Sequence, residues 1–142
     1  MIDSKTAPYA ALILRVSLGV MFLAHGLYLK IFVFTVGGTV GFFESLGLPA
    51  VLAYATIAAE SLGGIALILG VFTRWVSLAL LPVLLGALWV HSGNGWLFTA
   101  EGGGWEYPLF LAVAALTQAL LGDGAHALKP SGSVAKMISQ SA

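Results

Sequence analysis

Arg15 and Glu60 are the two charges that stand well inside long apolar runs of this 142-residue chain. A charge near the centre of a bilayer costs at least about 2.5–3.5 kcal/mol, so each must meet a partner, a polar interior or a pathway. At ~1.5 Å of helical rise per residue, Arg15 stands ~12 Å above the start of its run and Glu60 ~18 Å above the end of its own. An extended arginine closes that gap, so the spacing predicts an Arg15–Glu60 pair, with Gln118 in a later run completing a buried polar site. The pair reads either as a structural salt bridge or as a functional charge pair for an anionic or quinone-like group. A second set gathers toward the opposite end: His25, His91, Glu106 and Tyr107. Imidazole titrates near neutrality. Two histidines with a carboxylate therefore read as hydrogen-bonding anchors or as a proton relay to a quinone oxygen. The ligands are dispersed and show no His-x-x-x-His spacing, so no metal site is assigned. No catalytic residue is named.

The elements that must hold these groups are apolar throughout. Hydrophobic residues make up 59% of the chain and charged ones 8%, against about 25% in an ordinary soluble domain, and mean hydropathy is +0.99. Six basic and six acidic residues balance to zero. Disorder, a charged tail and a nucleic-acid-binding face are excluded by that balance. With no cysteine there is no disulfide framework, thiolate metal site or cysteine nucleophile. Runs of 18 residues or more without polar alternation are helices, since only helices or closed barrels satisfy the backbone in lipid. The expected fold is all-α, a four-helix antiparallel transmembrane bundle with helices at about 7–29, 49–73, 74–92 and 105–122. These form a single domain over 1–128, followed by a flexible cytoplasmic tail over 129–142. The first run carries an arginine and lacks a small-residue cleavage pattern, which favours a span over a signal peptide.

Between the runs, segment 31–48 combines Gly37, Gly38, Gly41 and Gly47 with four phenylalanines, and reads as interfacial or re-entrant rather than a free loop. Small residues at helical spacing, Ala53, Thr56, Gly63 and Gly64, share Glu60's side, and Gly19, Phe22 and Gly26 share Arg15's, which permits close helix approach. With the N-terminus inside, Lys5, Arg74, Lys129 and Lys136 lie in the cytoplasm and only Lys30 outside. The positive-inside rule then places the chain in the inner (cytoplasmic) membrane of a prokaryote with both termini cytoplasmic. Trp89, Trp96, Trp105, Tyr107 and Tyr28 collect on the outer side, as an aromatic belt or as a wall for a flat ligand. A faint repeat relates Gly19-x-x-Phe22-x-x-His25-Gly26 to Gly86-x-x-Trp89-x-His91-Ser92-Gly93. There is no dinucleotide loop, phosphate loop or nucleophile elbow.

Three blocks together carry a family resemblance. Arg15-Val-Ser-Leu-Gly19-Val-Met-Phe22-Leu-Ala-His25-Gly26-x-x-x-Lys30 resembles the first-helix signature of DoxX-type membrane proteins. Ala59-Glu60-Ser-Leu-Gly63-Gly64, continuing to Gly70-Val-Phe-Thr73-Arg74, resembles their second, and Gly103-Gly104-Trp105-Glu106-Tyr107-Pro108-Leu109 after His91 resembles the helix 3–4 segment. The similarity spans residues 8 to 128. The family's commonest form has its lysine three residues after the glycine. Lys30 is four after Gly26, a turn of about 100° on a helix, so no site role is carried over to Lys30. The resemblance implies a four-helix membrane protein that works as a small subunit of a quinone-linked oxidoreductase or an oxidative-stress membrane complex. Such a subunit would bind a quinone or small redox substrate and associate with a partner subunit or its own copies. Two other readings stand beside it: a non-enzymatic membrane scaffold or assembly protein, and a small-molecule transporter working as an oligomer.

Overall fold

The computed structural model describes residues 3–132, and these are helical almost throughout. α1 runs Ala7–Leu23 and continues unbroken into a π-helical turn, Ala24–Val33. α2 is Thr35–Ser45, α3 Ala50–Leu69, α4 Thr73–His91 and α5 Glu106–Leu121. The stretches Ala7–Val33, Ala50–Leu69 and Thr73–Asn94 are long and apolar enough to cross a membrane, while the apolar Glu106–Leu121 is shorter. The protein is all-α and membrane-embedded, with its apolar helices against the lipid bilayer. Among the described residues five α-helices form rather than the four expected, because segment 31–48 builds α2. Among the described residues the only strand-like pairing is the isolated bridge of Val71 with Lys129.

Local chemistry sets the boundaries. Pro8 sits in the first turn of α1, where its missing N–H leaves no bond unmade. Just before it, the Asp3 carboxylate accepts the N–H groups of Lys5 and Thr6, which holds its carboxyl below the usual carboxylate range. Gly70 ends α3 in the left-handed conformation at φ 70°, and Val71 N–H returns to Ala66 O at 2.9 Å, closing a Schellman motif. The α3–α4 turn therefore falls at residues 70–72, earlier than the expected break after Thr73. The tail expected from Lys129 starts as ordered chain: Phe72 N–H donates to Lys129 O at 2.8 Å and Lys129 N–H to Gly70 O at 3.0 Å. Residues 133–142 of that expected tail lie outside the described residues.

Glycines make the α1–α3 seam. A Cβ added at Gly19 would stand 2.7 Å from Gly64 O, and one at Gly26 would stand 2.6 Å from Glu60 Cβ. The two backbones touch where side chains would hold them apart. Leu18, Phe22, Leu67, Leu80, Leu84, Ala112, Ala114 and Ala115 form the buried core among α1, α3, α4 and α5. α2 packs on the π-turn and α3. One end of the bundle carries the start of α1, the α3–α4 turn and the end of α5; Arg15 belongs to it. The other carries the π-turn, α2 and the loop from α4 to α5; Lys30 belongs to that one.

Candidate functional site

The expected pair does not form. Glu60 is bonded to Lys30, with Lys30 Nζ 2.7 Å from Glu60 Oε2 and side chains only 19% and 8% exposed. Arg15 turns the other way. Its Nη1 donates to Asp123 O at 2.8 Å and its Nη2 to Ala125 O at 3.3 Å. Side-chain direction explains the exchange. A helical Cα–Cβ bond tilts toward its helix's N-terminus. Arg15 on α1 is thereby aimed at the end where α1 begins, and Glu60, on the antiparallel α3, at the opposite end. Lys30, late on α1, points back down toward Glu60 and meets it. Lys30 is four positions from Gly26, the residue pressed on Glu60, and positions four apart share a helix face.

The π-turn is the local peculiarity that holds Lys30. Phe34 N–H donates five residues back to Leu29 O at 2.8 Å, and such widened turns within helices gather at functional sites. The turn ends on Thr35, whose φ of 64° is an outlier for a β-branched residue. Thr39, the buried residue of α2, places its hydroxyl 3.0 Å from both Lys30 O and Thr35 O, fastening α2 to the turn.

Beside the ion pair lies a cleft of about 510 Å³ between α2, α3 and α4. Phe42 and Phe43 of α2 with Leu46 just after it line one side, Leu52, Ala55, Thr56 and Ala59 of α3 another, and Pro82, Val83, Gly86, Ala87, Trp89 and Val90 of α4 the third. Lys30, Glu60 and His91 are also in its lining. A Cβ added at Gly86 would meet nothing within 4 Å, so the missing side chain leaves part of this space. Of the lysine's three N–H donors, one is given to Glu60 and no other acceptor meets Nζ among the described residues. The site therefore offers a charged donor in the lining of an apolar slot.

The other expected outer-set residues divide. His25 Nδ1 lies 2.8 Å from Met21 O in its own helix, and its ring lies against Tyr107, with centroids 6.0 Å apart at 30°. Tyr107 Oη and Ser61 Oγ are buried without hydrogen-bond partners among the described residues. His91 leaves this group for the cleft and bonds to the loop, its Nδ1 3.0 Å from Gly102 O. Glu106 Oε1 accepts Phe98 N–H at 2.8 Å, tying that loop to the first turn of α5. Of the outer tryptophans, Trp89 is a cleft wall, whereas Trp96 and Trp105 pack edge-to-face at 4.5 Å.

Arg15 and Gln118 belong together at the opposite end, as a fastening. Gln118 Nε2 donates to Gly122 O at 2.7 Å. Arg74 caps α5 through the carbonyls of Ala119 and Leu120 at 2.7 and 3.1 Å, a favourable place for a cation. Asp123 joins the pieces: its carboxylate accepts Thr73 N–H at 3.1 Å, Ser131 N–H at 2.9 Å and the Ser131 hydroxyl at 2.7 Å. Charge-assisted bonds of this kind contribute about 1.5–3 kcal/mol. Asp123→Ala should therefore cost about 2 kcal/mol, and limited proteolysis should cut first within 124–132. An unchanged cleavage pattern would show that the carboxylate fastens nothing.

Sequence reasoning missed Lys30, Asp123, Pro82 and Gly86. Side-chain direction, a property of any helix, is the signal that would have found Lys30. For the cleft residues there was none, because a space between three helices is written in no one of them.

Known proteins resemble this chain. The family model described as DoxX matches residues 10–93, a span containing Lys30, Glu60 and His91. A protein of Bacillus subtilis (strain 168) named "Putative oxidoreductase CatD" is 32% identical over 127 residues, covering 89% of this chain and 90% of that protein. No solved structure matches the chain.

Proposed function

The chain belongs to the DoxX family, and from that premise we propose that it is the small quinone-binding subunit of a membrane oxidoreductase. The observation that carries this reading is the cleft: an apolar slot of about 510 Å³ with a buried ion pair in its lining. Small-molecule sites are mostly apolar concavities with a few placed polar groups. The residues fit a flat oxygen-bearing ring. Ala55, Ala59, Ala87 and Gly86 leave it room between α3 and α4, Phe42 and Trp89 flank it with aromatic faces, and Lys30 donates to its oxygen. Glu60 holds the lysine in place. A quinone, when bound, supplies two-electron chemistry, and the relative's printed name points to the same class. The electron partner is then a second subunit or another copy of the chain.

The end holding Arg15 is assigned to the cytoplasm, because Lys5, Arg74 and Lys129 lie at that end, which is the arrangement of a prokaryotic inner-membrane protein. A cytoplasm-dependent reporter fused to the C-terminus should be active, and a silent fusion would reverse the topology.

Filling the cleft tests the function. Gly86→Leu places a side chain where nothing stands within 4 Å, so the fold should tolerate it. Affinity for duroquinone, a tetramethyl ring too substituted to react with lysine, should fall at least tenfold while Tm holds. No quinone in the purified protein's lipid extract, and no duroquinone binding by the wild type, would overturn the reading.

The Arg15 end supports a different role for its own residues. Arg15, Gln118 and Asp123 bind segments of this chain to one another, and there the polar groups act as packing glue.

A further inference from the structure

His91 lines the same cleft as the ion pair, and its neighbours fix which ring nitrogen carries hydrogen. Nδ1 lies 3.0 Å from Gly102 O and 3.1 Å from Gly103 O. A carbonyl oxygen only accepts, so in the neutral imidazole Nδ1 bears the proton and Nε2 the lone pair. A Cβ added at Gly103 would stand 3.4 Å from Nδ1 and 3.5 Å from Cε1. That edge of the ring faces the loop, leaving the edge with Nε2 for the cleft that His91 lines. The lining thus pairs the donating ammonium of Lys30 with an accepting nitrogen of His91.

We infer that the cleft selects a six-membered ring in its hydroxylated form: His91 Nε2 accepts a ring O–H, and Lys30 donates to another ring oxygen. The inference rests on the cleft being the ligand site. A dicarbonyl ring would set a carbonyl lone pair against the lone pair of His91, whereas a hydroxyl satisfies it. Sites built to hydrogen-bond a ligand hydroxyl reject analogues lacking it strongly.

The test is anaerobic equilibrium binding of durohydroquinone and duroquinone to the full-length protein in detergent. The wild type should prefer durohydroquinone by tenfold or more, and His91→Phe should bring the ratio close to one. Equal binding in the wild type, or an unchanged ratio in His91→Phe, would overturn the inference. Gly86→Leu separates the two levels of failure. If it weakens both rings while the wild-type ratio is one, only the His91 assignment fails; if it weakens neither, the cleft is not the site. Because His91→Phe also releases the loop, imidazole nitrogen NMR of the wild type provides a reading without substitution. Nε2 should be unprotonated in the free protein and shift with durohydroquinone but not with duroquinone. A protonated Nε2, or equal shifts with both rings, counts against the inference.

Discussion

Lys30→Met is expected to destabilise the detergent-solubilised protein by roughly 3–5 kcal/mol, the cost of leaving a buried charge without its partner. Glu60 is 8% exposed and its bond to Lys30 is its one ionic contact among the described residues. Arg15, the other cation of the bundle interior, cannot substitute, since its guanidinium is spent on the carbonyls of Asp123 and Ala125. Removing both charges should be gentler: an apolar pair of similar volume in place of a buried ion pair is often neutral. Lys30→Met with Glu60→Leu should thus recover most of the loss. The measurement is a double-mutant cycle on unfolding free energy. A double variant as unstable as the single one would show that the pair is not the source of the effect. Arg15→Met should not couple to Glu60 in the same cycle, because the structure sends the two side chains to opposite ends. The double variant should also lose affinity for duroquinone despite its recovered stability, since it lacks the donor.

Gly64→Val is expected to have the second large effect, about 3 kcal/mol or outright misassembly. Inserting methyl groups into a packed seam costs about 1–3 kcal/mol when side chains can give way, and more when they cannot. Here the obstacle is backbone: a Cβ at Gly64 would stand 2.8 Å from Gly19 O and 3.0 Å from Leu23 N. α1 and α3 would have to separate along the seam that also sets Gly26 on Glu60, so the ion pair would suffer with the fold. Gly41→Val supplies the contrast, because nothing stands within 4 Å of its added Cβ. Thermal unfolding followed by size-exclusion chromatography should show Gly41→Val near the wild type and Gly64→Val aggregated or strongly destabilised. Similar behaviour of the two would remove the close seam from the account.

Much of this was legible in the residues. Twelve charges in 142 residues cannot coat a soluble domain, and long apolar runs must be helices in lipid. Gly19 and Gly64 were marked as small residues on the polar stripes, and they meet. Depth along each helix was not sufficient. Arg15 and Glu60 were brought together by height alone, whereas the tilt of each side chain toward its own helix's N-terminus separates them. Lys30 was set aside on a one-residue shift in a turn whose π-helical bonding no local pattern announced. Segment 31–48 was read as something more than a loop, but its helix α2 acquires meaning only as a wall of the cleft.

The sequence by itself determined that this protein lives in a membrane, that it is helical, and that a handful of polar groups must justify their burial. Those properties follow from composition and period, which are additive along a chain. The tertiary structure alone decided which charge answers Glu60, that Arg15 fastens the opposite end, and that Gly86 opens a slot between α3 and α4. Such outcomes depend on the directions and distances of side chains from different helices, and these exist only once the helices have packed.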